Sequence, residues 1–469
     1  MNYKQMGIMG ATLAVTLSGC LLSPPRKFEA PQIPLPSLFV TSGEGEHSRQ
    51  WWKDFNDTEL DTAVERALGN NFDITIARAR LQASEALTRQ AGAPRWPGLS
   101  TDINSSNSSS LNPFTGELSD TTRFGAGLQA SFEIDIWGKW DAAHMAAERD
   151  EQAARATLKA TEISLIAEVV STYLSLTVAK ERVGLVRQQL DATSTFRDLV
   201  EARYAQGLTN AFDVYQLRQQ EAQILSTLES ANLAKKNFAR RLTLLQGEVP
   251  VTETQVNSEV PVQLPPLPAT GVPSSIILNR PDVLAATWRL AAGDARVAQA
   301  LANRFPSLRL SAGLNLSATT IADLFKDVFH SLTGSLSQPL FQGGALVAAQ
   351  QVSEARRTEL EANLRKVATQ AVMEIDSALD DDASNFEQTA HINQQLKLAR
   401  ASYEDARERY LNGLSDFLSV LTSLRSTQQV ELQSLSQRES QILSRIKVYR
   451  VLGGYSPLDA QSLSPSDSQ

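Results

Sequence analysis

The chain is written twice. Asp73, Arg80, Leu81, Arg95 and Pro97 recur as Asp282, Arg289, Leu290, Arg304 and Pro306, each 209 residues on and without a gap. Further along, Arg203-Tyr204-Ala205-Gln206-Gly207-Leu208-Thr209-Asn210-Ala211 recurs in outline as Arg409-Tyr410-Leu411-Asn412-Gly413-Leu414-Ser415-Asp416-Phe417, with 206 residues between Gly207 and Gly413. A register kept over such a span restricts the 469 residues to one architecture built from two copies of a unit, roughly 51–247 and 274–453.

The second pair of segments reads as the tips of two helical hairpins. Glycine suits the left-handed residue that ends a helix. Ser415 or Asp416 can accept hydrogen bonds from the free amides that begin the next one. Around these tips the spacing predicts long helices over 139–206 and 345–412, returning over 210–245 and 416–451. The first contains no proline and one glycine, Gly184, and at 1.5 Å per residue measures about 100 Å. Apolar positions recur at coiled-coil spacing in Leu217, Ile224, Leu228 and Ala231, and in Leu435, Ile442, Ile446 and Tyr449. Ahead of the first hairpin, Thr58 to Asp61 fits a helix-start box leading to about Leu68, and a second helix runs from about Asp73 to Ala93, before Pro94 and Pro97.

Between the helices the period changes to two. Phe124, Ala126, Leu128, Ala130, Phe132, Ile134 and Ile136 alternate with Arg123, Gln129, Ser131, Glu133 and Asp135. Leu308, Leu310, Ala312, Leu314 and Leu316 repeat the pattern, with weaker partner strands at 98–107 and 330–340 and loops near 105–121 and 318–329. A soluble sandwich needs more strands than four, whereas a membrane β-strand is ~9–11 residues long, apolar towards lipid and polar towards a lumen. Four strands cannot close a barrel, since the smallest use about eight, so strands in the membrane imply several chains sharing one barrel. Trp137 and Trp140 at the end of the first β-hairpin suit a membrane–water interface; packing at a junction accounts equally well for Trp140.

Residues 1–19 carry one positive charge and an apolar run too short to span a bilayer, and lead into Cys20 through Leu17-Ser18-Gly19-Cys20. These four residues resemble a bacterial lipobox, which implies cleavage before Cys20, a diacylglycerol thioether on its sulfur and an acyl group on the new amino terminus. Cys20 is the one cysteine, so no intrachain disulfide can form. Leu21 is not the aspartate that retains lipoproteins at the inner membrane. A Pro-rich tether over 20–50, a Pro-rich connector over 248–273 and a Ser/Asp/Gln tail over 454–469 complete the chain.

Composition excludes several classes. A net charge of −8 without a Lys/Arg run argues against nucleic acid. His47, His144, His330 and His391 are scattered, and no phosphate loop, Cys/His cluster or nucleophile elbow is present, so an enzyme is not expected. Met145 and Met373 make no methionine ladder for Cu(I). Asp380-Asp381-Asp382 is a run that reads as a solvated face more readily than a cation site.

The lipobox, Trp51-Trp52 with Phe55, the segment Phe132-Glu133-Ile134-Asp135-Ile136-Trp137-Gly138, the segments Gly271-Val272-Pro273-Ser274 and Asn279-Arg280-Pro281-Asp282-Val283, and the paired Arg-Tyr-x-x-Gly tips together resemble the outer membrane factors of tripartite efflux pumps. The subgroup is the OprM-like, NodT-type lipoproteins of the TolC superfamily, and the likeness spans nearly the whole mature chain. It implies an α+β membrane protein that assembles as a homotrimer. Twelve strands would form one outer-membrane β-barrel, continuous with a periplasmic α-helical barrel. It implies a passive exit duct for small toxic compounds, working with a periplasmic adaptor and an inner-membrane transporter of the RND type, with no cofactor beyond lipid on Cys20.

The same resemblance puts the hairpin tips at a constriction. Tyr204, Tyr410, Arg203 and Arg409 would link neighbouring helices, Asp213 and Asp416 would supply a carboxylate ring, and helix capping is an equal alternative for Asp416. Relatives often carry carboxylates where this chain has Ser419 and Thr422, which shifts weight to Asp213 and Asp416. Gly207-Leu208-Thr209 and Gly413-Leu414-Ser415 would contact the adaptor. A type I secretion or metal-cation efflux channel shares this fold, and a structural envelope lipoprotein is the alternative outside transport.

Overall fold

The fold follows from the repeat. A computed structural model describes residues 28, 31, 33, 50–111, 113–114, 116–249, 264–268 and 273–453. Cys20, most of the tether, most of the connector and the tail after 453 lie outside the described residues. The helices are α1 (Thr58–Asn70), α2 (Phe72–Gly92), α3 (Lys139–Ala205), α4 (Ala211–Leu245), α5 (Pro273–Asn279), α6 (Pro281–Ala302), α7 (Ala345–Leu411) and α8 (Phe417–Val451). The strands are β1 (Gly98–Leu111), β2 (Leu118–Ile134), β3 (Ser307–Ala318) and β4 (Val328–Ser337). Both long helices, α3 and α7, have 67 residues, and both return helices have 35. The described chain forms two units whose division falls inside α2, α3, α6 and α7.

The first unit, from Arg80–Arg155 and Ala285–Arg365, contains a four-stranded antiparallel sheet in the order β1-β2-β3-β4. Each repeat supplies one β-hairpin, and β2 joins them by pairing with β3, Leu128 facing Leu314 and Ala130 facing Ala312. The alternation puts Leu99, Ile103, Leu128, Leu310, Leu314, Val328, Leu332 and Leu336 on one face, and all are exposed. Asp102, Asn104, Gln129, Asn315 and Ser331 share the other, where Gly125, Gly127 and Gly313 leave room for their neighbours' polar ends.

Several strand boundaries differ from the sequence reading. β2 ends at Ile134 and β4 at Ser337, short of the expected 136 and 340. Ser108 to Leu111 and Leu118 to Thr121, expected in a loop, extend β1 and β2. The backbone ladder between the two strands holds them, and that ladder needs no apolar side chain.

The turn from β2 into α3 explains one of the family-like segments. The Asp135 carboxylate accepts from the amides of Lys139 at 2.6 Å, Trp140 at 3.0 Å and Asp141 at 2.8 Å, capping a helix end where negative charge is favoured. Glu133 pairs with Lys139 and lies 3.5 Å from Arg309. The Trp137 ring stacks on Phe305 at 5.1 Å, and its indole N–H donates to the Pro306 carbonyl at 2.6 Å. Trp140 lies under the Lys139 ammonium, 4.1 Å from the ring centre.

The second unit holds the helical hairpins. Its core joins Leu60, Val64, Ile74, Val169, Val170, Tyr173, Leu242, Ile442 and Ile446, with the Trp51 ring stacked on Tyr449 at 5.0 Å. The most apolar part of α3 is thus packed against protein. Asp57, one residue before the expected start, is the cap of α1. Its carboxylate accepts from Glu59 and Leu60 amides, and its second oxygen takes the Tyr173 hydroxyl at 2.9 Å.

The connector is tied down where it is described. Arg445 donates to the Pro265 carbonyl, and Tyr449 donates to that of Pro266 at 3.0 Å. Arg445 also forks onto Asp382 at 2.9 Å, and Lys447 meets Asp381 at 2.7 Å. The acidic run is therefore largely ion-paired with α8.

Candidate functional site

Local hydrogen bonding makes each tip. At the end of α3 the Leu208 amide reaches back to the Arg203 carbonyl at 2.9 Å and the Gly207 amide to Tyr204 at 2.9 Å. At the end of α7, Leu414 reaches Arg409 at 2.7 Å and Gly413 reaches Tyr410 at 3.0 Å. This double closure requires a left-handed residue, and Gly207 and Gly413 both have φ of +74°. The next helices are capped by Asn210, accepting from the Asp213 amide, and by Asp416, accepting from the Ser419 amide at 2.9 Å.

The carboxylates considered for an aperture ring are held by their own hairpins. Asp213 receives the Thr209 hydroxyl. Asp416 receives the Ser419 hydroxyl at 2.5 Å as well as the amide. The hydroxyl first, and then the amide, hold the Asp416 carboxyl below the usual carboxylate range. Asp416 is thus a helix cap, and it keeps its negative charge at an exposed tip.

The two tips pack on each other through a cluster that single-sequence periodicity did not mark as a unit. Phe196 and Val200 of α3, Val214 and Leu217 of α4, Tyr410 of α7, and Phe417, Val420, Leu421 and Leu424 of α8 form it. Phe196 and Phe417 stack at 6.1 Å, and Tyr410 sets its edge to both at 6.2 Å. The Arg203 guanidinium sits 4.8 Å from the centre of the Tyr410 ring.

Tyr410 is buried, and its hydroxyl has no hydrogen-bond partner among the described residues. Its repeat mate Tyr204 is 49% exposed. Arg409 pairs with Asp405 one turn back, at 2.9 Å. Leu208 and Leu414 are exposed at the tips, as are Phe212 and Leu418 just beyond them. The aromatic character of positions 196 and 417, near a glycine turn, was the available signal for this cluster.

Among the described residues no group of His, Cys, Asp and Glu has the arrangement of a metal site. His144 meets Glu148 at 3.2 Å across one helical turn.

The chain matches the family model described as outer membrane efflux protein over residues 63–248 and 272–454, a segment in each half. It is 30% identical to the pyoverdine export outer membrane protein OpmQ of Pseudomonas aeruginosa over all of both chains. It is 28% identical to the cation efflux system protein CusC of Escherichia coli K12, covering 94% of this chain and 98% of that one. The solved outer-membrane channel OprN superposes with a TM-score of 0.86 at 25% identity, covering 93% of this chain and 99% of that one.

Proposed function

Given that the chain belongs to the outer membrane efflux protein family and is an efflux channel of the Gram-negative outer membrane, we propose that three copies form the exit duct of a tripartite pump. The apolar, exposed face of the four-stranded sheet carries this reading, because a row such as Leu99, Ile103, Leu332 and Leu336 is stable facing lipid and unstable facing water. Twelve strands then close one barrel, and twelve long helices line a periplasmic duct. Acylation of Cys20 adds an anchor to the same membrane. Energy is supplied by an inner-membrane transporter of the RND type, joined through a periplasmic adaptor that meets Gly207-Leu208-Thr209 and Gly413-Leu414-Ser415.

The duct is gated at the tips. Tyr410, clasped by Phe196 and Phe417 under Arg203, holds the two hairpins of a chain together. Tyr204, Arg409, Asp213 and Asp416 face the aperture, and the two aspartates charge it negatively. Opening separates hairpin tips, so weakening this packing raises conductance. The cargo is a range of small toxic molecules whose selection lies in the transporter. Relatives named for pyoverdine, cations and toluene over essentially the same chain length agree with a duct that does not choose.

The test is a susceptibility panel of antibiotics, detergents, dyes and metal salts on a deletion strain, with complementation by the intact gene. Sensitivity to several unrelated compounds is expected. Sensitivity to a single metal salt, or loss of a secreted protein with no sensitivity, would reassign the pump.

A further inference from the structure

The alternation of the sheet fails at one position. On the polar face of the four strands every other residue is polar, charged or glycine, but Phe329 of β4 falls there, beside Val328 on the apolar face, and is 58% exposed. Strand pairing sets it in a row. Asp102 of β1 faces Gly127 of β2, Gly127 faces Asn315 of β3, and Asn315 faces Phe329. The four residues cross the polar face at one level.

Gly127 gives the row its chemistry. A Cβ there would stand 2.7 Å from the Asp102 Oδ1 and 3.0 Å from the Asn315 Oδ1, so the two oxygens lean over the glycine from the strands on either side. Both are acceptors, and the carboxylate is charged. They converge without a donor between them, and neither side chain takes part in a hydrogen bond or ion pair among the described residues. One ammonium, with three N–H donors, can bridge oxygens so placed.

The other charges of this face leave Asp102 uncancelled. Glu133 is taken up by Lys139 and Arg309. Arg123 lies four residues along β2 from Gly127, about 13 Å away and beyond the ~8 Å over which physiological salt screens exposed charges.

We propose that this row binds organic cations with an aromatic or apolar body, the ammonium over Gly127 between Asp102 and Asn315 and the body against Phe329. Phe329 stands two strand spacings from Gly127, about 10 Å, a span that a drug-sized molecule lying across the strands covers. Its ring offers apolar contact and an electron-rich face to a cation. A single carboxylate in water attracts weakly, so the row slows such molecules in passage and does not exclude others. This rests on the reading of the polar face as the lumen of the duct, and adds to it a site and a ligand class.

The probe is protonated para-fluorophenethylamine, titrated with the purified full chain in detergent and followed by its fluorine NMR line. Saturable broadening is expected. Asp102→Asn should weaken binding about tenfold, through loss of the charge-assisted bond. Phe329→Ser should weaken it about fivefold, through loss of the ring. Both positions are exposed, and heat-modifiable bands check that the variants assemble. The anion para-fluorophenylacetate, the same body with the opposite charge, should not bind. No saturable broadening with the wild type, equal binding of the anion, or either variant binding as the wild type does would overturn the proposal while the duct stands.

A second measurement tests the lumen itself. In intact cells a membrane-impermeant maleimide should label Ser331→Cys, on the polar face, and not Leu332→Cys, on the apolar one. The reverse pattern would overturn the duct reading and this site with it.

Discussion

Asn71 and Arg280 stand at equivalent places in the two repeats and do the same work with different chemistry. Asn71 donates from its amide to the Leu245 carbonyl at 2.9 Å, and Arg280 donates from its guanidinium to the Val451 carbonyl at 2.9 Å. Each acceptor belongs to the last residue of a return helix, α4 or α8, which has no intrahelical donor left. Asn71 also caps α2 through the Asp73 and Ile74 amides. Arg280 also holds Asp282 at 2.6 Å and Glu374 at 2.9 Å. The Asn-Arg-Pro-Asp segment is thus the point where α6, α7 and α8 are fastened.

Asn71→Ala is expected to cost about 1–2 kcal/mol through the lost cap. Arg280→Ala leaves the buried Val451 carbonyl stranded, at about 1–3 kcal/mol. Its carboxylate partners are 41% and 49% exposed and can turn to water, which limits the loss from the broken pairs. Arg280→Lys should recover little, because one ammonium cannot serve three partners in a planar fork. Melting of the purified protein checks this, and an Arg280→Ala protein that melts with the wild type would remove the fastening role.

Two glycines should respond oppositely to alanine. Gly184 sits inside α3 with open space where a side chain would go, so Gly184→Ala should stabilise by about 0.5–1 kcal/mol. Gly247 ends α4 at φ of +75°, and a Cβ there would run into the Asn70 carbonyl. Gly247→Ala should lower the melting temperature clearly, and equal shifts at both sites would contradict the geometry.

Much of this architecture is local and therefore legible. The tips at Gly207 and Gly413, the capping by Asn210 and Asp416, and the alternation of β2 and β3 depend on residues within a turn or two of one another. What depends on distant partners was hidden. Asp381 and Asp382 find Lys447 and Arg445 more than sixty positions away, so a run that reads as a solvated face, and is exposed at Asp380 and Asp381, also carries a buried ion pair at Asp382. Asn71 and Arg280 escaped the repeat comparison because they share a role and not a residue type. Ser108 to Ser110 look like loop because β-propensity describes side chains, whereas a paired backbone holds them. At the tips, Tyr410 and Phe417 belong to one repeat and Phe196 to the other, so their cluster exists only once the hairpins pack.

The sheet's two faces predict unequal tolerance of charge. Leu128→Arg puts a cation on the apolar face and should cost ~2–4 kcal/mol per chain near the membrane midplane. The neighbouring Gln129→Arg points to the polar face and should assemble normally. Heat-modifiable folded bands in outer-membrane fractions report both, and normal assembly of the Leu128 variant would sink the barrel assignment.

The tip carboxylates predict a pH response. The Asp416 pKa is lowered in the folded chain by the Ser419 hydroxyl and amide, so the cap favours the charged form. Its contribution is fully present above the ordinary value near 3.9 and is lost as pH falls through the lower folded value. Leak conductance of the wild type should therefore hold steady down to about pH 4 and change only below it, as far as this group governs the leak. Replacing Asp213 and Asp416 together with Ala should raise the leak at neutral pH. An unchanged leak would take both residues out of the gate.

Tyr410 separates two ways of holding a tip closed. If the phenol were the latch, Tyr410→Phe would open the duct. Here the hydroxyl is buried without a partner among the described residues, while the ring packs edge-on to Phe196 and Phe417 beneath Arg203. Removing a hydroxyl that makes no bond costs nothing in that setting, and the phenylalanine ring keeps every aromatic contact. Tyr410→Phe should therefore leave single-channel leak and melting unchanged. Tyr410→Ala empties the centre of the cluster at about 3–5 kcal/mol and should raise the leak. A Phe variant as leaky as the Ala variant would move the latch from the ring to the hydroxyl and require a partner for it on a neighbouring chain.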